Sequence, residues 1–267
     1  MDAARQVRRT PPAATAGVWQ VACGADRAIL KVVRDGGAES RWPATRDPRD
    51  PYYWRREICV YESGIAAELG APRARAVVER ADGSVALWLD DAGEPPAWTA
   101  HRLGAVARRL GVAQASPPPD REWLGPGFLR RYLMLHGVEP DEQVLGELDA
   151  CEQTLCHNDF HPGNVLGADA DVVVDWAYCG LGALGLDAGV LVVDGIADEA
   201  FPAEEADAAA AAVWDGYVEG LGGGRDLDAV RFAFTRGTRL RLSWLPRGER
   251  RSWDATIDFL ERLASVG

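Results

Sequence analysis

Residues 155–187, LCHNDFHPGNVLGADADVVVDWAYCGLGALGLD, constrain this chain more than any other stretch. His157 is followed by Asp159, then by Asn164 and, after a β-branched run at Val172–Val174, by Asp175. Proline and glycine in HPGN set a turn, and the valine run reads as a strand whose end delivers Asp175. A turn would account for HPGN alone, but not for a second carboxylate at a strand end. One carboxylate and one amide on a loop, with a strand-end carboxylate to follow, form a set of hard oxygen groups. Such a set can take a proton from an attacking hydroxyl and hold Mg²⁺ against phosphate oxygens.

The first third of the chain supplies a cation to match. Val18–Val33, VWQVACGADRAILKVV, reads as a hairpin, with strands VWQVAC and AILKVV about the turn GADR. Lys31 sits in the second strand and is the only lysine among 29 Lys and Arg residues. Arginine serves the other basic positions, so the surviving compact ammonium points to a task a planar guanidinium does not perform, such as binding phosphate. Over Tyr53–Leu69 apolar residues recur at Trp54, Ile58, Tyr61, Ile65 and Leu69, which predicts a helix. Glu57 near its start is the expected partner of Lys31, with Glu62 the alternative. Arg75–Val78 and Val85–Leu89 read as strands about an Ala81–Ser84 turn. Residues 1–90 are therefore expected to form a lobe of strands and one helix, and 91–94 a hinge.

Residues 95–267 read as mainly helical. Expected helices are Trp98–Gln114, Trp123–Leu135 and Glu139–Glu152 before the loop, and residues 203–221, 226–244 and 252–264 after it. The first dozen residues read as disordered, and Gly36–Pro51 as a loop. With 47% hydrophobic and 26% charged residues the composition is that of an ordinary soluble globular protein. No apolar run is long enough to cross a bilayer, and the N-terminus MDAARQVRRTPP lacks the apolar core of a signal peptide. No membrane partner and a cytoplasmic location are expected. A net charge of −12 disfavours nucleic acid as a partner. Charge is uneven: residues 1–90 carry 14 basic and 12 acidic side chains, and residues 91–267 carry 15 and 29. The acidic excess is either a solvated surface or a wall that attracts a cationic substrate. Five cysteines without CxxC spacing argue against a disulfide framework or a zinc site.

Taken in order, Lys31, Glu57, the hinge, HNDFHPGN and VVVDWA resemble the aminoglycoside phosphotransferase and choline kinase family of small-molecule kinases, over about residues 15–190. The resemblance implies an α+β, two-lobed protein-kinase-like fold, with a small antiparallel-sheet lobe and a larger, mainly helical one. It implies ATP, or GTP, as donor together with Mg²⁺. By the same resemblance Asp159 is the catalytic base, Asn164 and Asp175 are metal ligands, and Lys31 with Glu57 binds the nucleotide phosphates. Backbone groups from Leu89 to Asp91 would face the adenine edge. His161 stands where protein kinases place a lysine and is expected at the γ-phosphate, while His157 braces the loop. Three features depart from the family pattern. Asn158 stands where the family usually has glycine, Trp176 follows the metal-binding aspartate, and Thr10–Gly17 replaces a glycine-rich phosphate loop.

Only eleven residues separate Asp175 from Asp187, too few for a segment that docks a peptide, so the expected acceptor is a small molecule bearing a hydroxyl. Asp187 is expected to be structural, fixing the end of that segment by hydrogen bonds. An antibiotic such as an aminoglycoside is the first expectation for the acceptor, and a metabolic alcohol such as choline, homoserine or a sugar the second. A nucleotide-binding module without turnover is the third reading, disfavoured because Lys31, Asp159, Asn164 and Asp175 are all present.

Overall fold

The structure is a computed structural model that describes residues 3–8, 14–36, 44–167 and 171–264. The chain forms two compact units, one of residues 1–95, 121–125 and 166–179, the other of residues 96–120, 126–165 and 180–267. The segment that carries Asp175, which the sequence groups with residues 95–267, thus packs within the first unit.

The first unit is built on β1 (Ala3–Arg8), β2 (Thr15–Cys23), β3 (Asp26–Val33), β4 (Ala74–Glu79) and β5 (Val85–Asp90), paired antiparallel in the order β1-β2-β3-β5-β4. β1 corrects the expectation of disorder over the first dozen residues. Its polar sequence AARQVR carries no hydrophobic alternation, and its place comes from backbone pairing along the edge of β2. Thr10–Ala13 of the segment standing in for a phosphate loop, and residues 37–43 of the Gly36–Pro51 loop, lie outside the described residues.

Ile29 and Val33 flank Lys31 on one face of β3. That face meets Ile58 of α1 (Arg56–Glu62) in a core with Val85, Leu87 and Leu89. The helix expected over Tyr53–Leu69 is in fact two, because Gly64 at φ 81° separates α1 from α2 (Ile65–Glu68). The left-handed backbone there is one that glycine adopts without steric cost. The buried guanidinium of Arg56 ties residues 166–179 to this core, its Nη1 donating to Cys179 O at 3.0 Å and its Nη2 to Asp50 O at 2.6 Å.

In the second unit α3 (Ala100–Gln114) starts at Thr99, whose side chain accepts from Arg102 N. α4 spans Phe128–Leu135 rather than starting at Trp123, because Pro126 and a left-handed Gly127 bar extension backwards. α5 (Glu142–Ala150) is capped by Asp141, and β6 (Gln153–Cys156) leads into the 157–164 loop. The chain leaves this unit through β7 (Val165–Leu166), passes β8 (Val172–Val173), and returns as β9 (Gly180–Ala183), antiparallel to β6. α6 (Leu186–Ala197) was not expected. Its sequence LDAGVLVVDGIA is apolar on nearly every side and so shows no helical stripe, the pattern of a helix buried all round. α7 (Ala206–Leu221) follows. The helix expected over 226–244 is divided into α8 (Leu227–Phe232), a π-helical turn at Ala233–Gly237 and α9 (Thr238–Arg241), before α10 (Arg251–Ala264). Among the described residues no helix is long and apolar enough to cross a membrane.

α3 and α7 pack with their backbones nearly touching. A Cβ on Gly216 would lie 2.2 Å from Gly104 O, and one on Gly220 would lie 2.1 Å from Arg108 O. Gly220→Ala should therefore destabilise the protein by about 1–3 kcal/mol, the usual cost of overpacking. Gly146→Ala, inside α5 with nothing within 4 Å, should stabilise it by roughly 0.5–1 kcal/mol. Urea-unfolding midpoints that move in the same direction for both variants would contradict this packing.

Candidate active site

In the first unit the sole lysine is held between two carboxylates. Lys31 Nζ lies 2.5 Å from Glu57 Oε2 and 2.6 Å from Asp175 Oδ1, with Lys31 and Glu57 side chains only 7% and 2% exposed. Burial pulls the Lys31 pKa down, but Asp175 and Glu57 outweigh it and leave the value raised. Burial also raises the Glu57 carboxyl, against the pull of Lys31. Glu57 meets Lys31 because it lies on the first turn of α1, on the face turned to the sheet. Glu62, the alternative partner, pairs with Arg55 at 3.9 Å instead.

Asp175 sits at φ 65°, a left-handed backbone unusual for a residue with a side chain. The turn around it is closed by Trp176, whose buried Nε1 donates to Val173 O at 2.9 Å. Leu89 belongs to β5, an inner strand, with register partners Ile29 and Ala74. The Asp91 carboxylate accepts from Gln20 Nε2 at 2.7 Å and from Gly93 N at 3.1 Å, which braces the turn after β5.

In the second unit the β6–β9 pair fixes the start of the 157–164 loop. Asn158 adopts φ 64°. Asparagine tolerates this region better than most residues with a Cβ, so the loop accommodates a side chain there. Beneath the loop the Asp187 carboxylate accepts His157 N at 2.6 Å and Asn158 N at 2.9 Å. Gln114 Nε2 donates to the same carboxylate at 3.1 Å, Tyr217 Oη donates to Gln114 Oε1 at 2.6 Å, and Gly185 N donates to Tyr217 Oη at 3.0 Å. Burial raises the Asp187 pKa against the opposing influence of His157 and the two amides. Asp187 acts as the structural support that the sequence suggested. His157, 1% exposed, packs edge-on to Phe160 with centroids 5.9 Å apart.

Asn164 ends a 3₁₀ turn and holds Asp159 through Nδ2, which donates to Asp159 O at 2.9 Å and to Oδ2 at 3.2 Å. Its Oδ1 is buried and has no hydrogen-bond partner among the described residues. An orphaned acceptor of this kind calls for an unseen donor or cation. Amide and carboxylate oxygens are the donors a hard divalent cation takes, so Asn164 and Asp175 fit Mg²⁺ by chemistry.

His161 Nδ1 lies 3.3 Å from Asp198 Oδ2 and 3.3 Å from Gly163 N, and Nε2 lies 3.9 Å from Asp159 Oδ2. Nδ1 cannot donate to Asp198 and accept from Gly163 at once. Burial lowers the His161 pKa, but the Asp198 hydrogen bond and the charges of Asp159 and Asp194 raise it further, which favours the protonated ring donating to Asp198.

One residue of this group escaped the sequence reading. Arg241, at the end of α9, donates from Nη1 to Asn158 O at 2.6 Å and from Nη2 to Asp159 Oδ1 at 2.9 Å and Asp194 Oδ2 at 3.2 Å. It lies in the arginine-rich run RGTRLRLSW, where Arg236 and Arg239 are exposed. Only its position between the buried Leu240 and Leu242 sets it apart.

Residues 7–232 match the model of a family described as the phosphotransferase enzyme family. Among solved structures, the chain is similar to amicoumacin kinase hAmiN in complex with AMP-PNP, Ca²⁺ and Ami, at 16% identity and a TM-score of 0.62 over 98% of this chain and 88% of that one. It is similar to a thermostable mutant of aminoglycoside phosphotransferase APH(4)-Ia in its apo form, at 16% identity and a TM-score of 0.55 over 100% and 95% of the two chains. It is also similar to choline kinase LicA from Streptococcus pneumoniae, at 12% identity and a TM-score of 0.52 over 98% and 92%. These likenesses establish the α+β, protein-kinase-like fold expected from the sequence. No curated protein matches the sequence significantly.

Because folding raises the His161 pKa, its protonation stabilises the fold fully below about pH 6.5, and the contribution disappears as pH rises through the folded-state value. The stability gap between the wild type and His161→Gln should therefore narrow from pH 5.5 to pH 9, read by urea unfolding. An equal gap at both pH values would contradict the Asp198 pairing. Lys31→Met should destabilise strongly, by about 3–5 kcal/mol, because it strands the buried Glu57 carboxylate beside that of Asp175. Adding Glu57→Gln should recover part of that loss.

Proposed function

Because the chain belongs to the phosphotransferase enzyme family, we propose that it moves the γ-phosphoryl group of ATP, with GTP the alternative donor, to a hydroxyl group of a small molecule. The reading rests above all on Asp159, whose carboxylate is oriented at Oδ2 by the amide of Asn164, the residue whose own Oδ1 is left buried and open to a cation. Asp159 accepts the proton of the acceptor hydroxyl as its oxygen forms the new bond to phosphorus and the bond to the bridging β-phosphate oxygen breaks. Lys31, kept charged by Glu57 and Asp175, binds nucleotide phosphate oxygens. Backbone groups at Leu89–Asp91 meet the base, and His161, protonated and steadied by Asp198, faces the transferring group. Asn164 and Asp175 would hold Mg²⁺, which when bound neutralises phosphate charge. Chemistry of this kind is mostly positioning and electrostatics.

An antibiotic such as an aminoglycoside is the favoured acceptor, which would make the enzyme a resistance kinase. The acidic excess of residues 91–267 supports a cationic acceptor. So does the likeness of fold to APH(4)-Ia in a ternary complex with ADP and hygromycin B and to a spectinomycin phosphotransferase in complex with ADP and its antibiotic. Likeness to a choline kinase makes a metabolic alcohol the second reading.

The test is Mg²⁺-dependent ADP release over a panel of cationic antibiotics, choline, homoserine and sugars. One class should stimulate release well above the rate in water, and a response to the alcohols alone would transfer the assignment to the second reading. Asp159→Asn should lower kcat by about 10²–10⁴-fold while nucleotide binding is kept. Normal turnover in that variant would remove Asp159 from the role of base. Lys31→Ala should raise KM for ATP, and unchanged kinetics would refute the phosphate contact.

A further inference from the structure

Arg241 is a nearly buried cation, its side chain 4% exposed, that reaches outward to a carboxylate 27% exposed, that of Asp159. Its donors divide by geometry. Nη1 goes to the carbonyl of Asn158, whose backbone is held at φ 64°, and Nη2 goes to Asp159 Oδ1. The two contacts seize the peptide before the base and the base itself, as a planar fork can and a point charge cannot. Since Asn164 Nδ2 holds Oδ2, both oxygens of Asp159 have a fixed donor.

The guanidinium is held just as firmly from behind. Asp194 on α6 accepts from Nη2 through Oδ2, and its buried Oδ1 has no hydrogen-bond partner among the described residues. Its hydrogen bonding is therefore committed to Arg241, while its charge also acts on His161. Burial lowers the Arg241 pKa, but Asp194, Tyr132 and Asp159 leave it raised, so the positive charge persists. The guanidinium carbon lies 4.9 Å from the Tyr132 ring centroid, within cation–π range. Tyr132 is fixed in turn, its hydroxyl accepting from Trp244 Nε1 at 3.1 Å and its ring 4.5 Å from His136, which stacks on Trp244 at 4.3 Å. A side chain locked by packing and a second layer of bonds is what precise placement of a reacting group requires.

We propose that Arg241 is a positioning residue for Asp159, setting the orientation of the carboxylate and of the Asn158 peptide, with Asp194 and the Tyr132–His136–Trp244 cluster holding Arg241 in place. The proposal rests on the reading of Asp159 as the base. The predicted signature is a loss in kcat with little change in KM for ATP, because Arg241 acts on the base and not on the nucleotide.

Arg241→Ala, Arg241→Lys and Asp159→Asn are compared in the full chain, with exposed Arg247→Ala as a control that keeps wild-type turnover. Turnover is ADP release from Mg·ATP with the acceptor found in the panel, or with water when none is added. Arg241→Ala should lower kcat by about 10²-fold, the scale expected when a catalytic group is misplaced by about 1 Å, and leave KM for ATP within about twofold. Added guanidinium ion, below unfolding concentrations, should restore part of that kcat in Arg241→Ala and none in Asp159→Asn. Arg241→Lys, which keeps the charge, should fold and still fall short of wild type. Wild-type kcat in a folded Arg241 variant, with Asp159→Asn inactive, would overturn the proposal and leave the base assignment standing. Normal turnover in Asp159→Asn would overturn the base assignment first. In a crystal structure of Arg241→Lys, Asp159 should occupy more than one orientation; a single unchanged orientation would overturn the proposal whatever the acceptor.

Discussion

A lysine ammonium buried between two carboxylates organises the first unit. Taking one cation out of water is costly, and two anions within 2.6 Å of it repay the cost only if all three are held rigidly. Each is held by a different means. Lys31 is on an inner strand, Glu57 is on the first turn of a helix packed against that strand, and Asp175 is on a left-handed turn closed by Trp176. The contact order of this trio is long, 26 residues from Lys31 to Glu57 and 144 to Asp175. The unit must therefore recruit residues 166–179 to complete its charge balance, and the buried Arg56 secures them.

The second unit solves a related problem with hydrogen bonds. A loop that must present an aspartate to solvent cannot satisfy its own backbone, so Asp187 reaches up from α6 to take two amides, and Gln114 and Tyr217 complete that network. Arg241 approaches the same loop and takes a carbonyl and the carboxylate. Acidic and basic supports thus divide the donors and acceptors of one short segment between them. This explains why a loop of only a few residues can carry an asparagine at positive φ.

The motif residues were legible because each carries a mark within a short stretch of chain. A lone lysine against many arginines, an asparagine a fixed distance after an aspartate, and an aspartate at the end of a valine run all stand out locally. Elements without a local pattern were not legible. α6 is apolar on nearly all sides, β1 is a polar edge strand, and the π turn at 233–237 interrupts what looks like one continuous helix. Glu57 was the expected partner of Lys31 and Glu62 the alternative, and the docking of α1 on the sheet decided for Glu57.

The sequence by itself determined the family and the fold class and singled out Lys31, Glu57, Asp159, Asn164 and Asp175 as candidates, because turn residues, strand ends and rare residue types are properties of short stretches. Tertiary structure alone decided which ionisable groups share charge. It put Asp175 on Lys31, Asp198 on His161 and Arg241 on Asp159. Electrostatic partnership depends on distance in space across long intervals of chain, and one arginine in a basic run carries no local mark of the carboxylate it will meet.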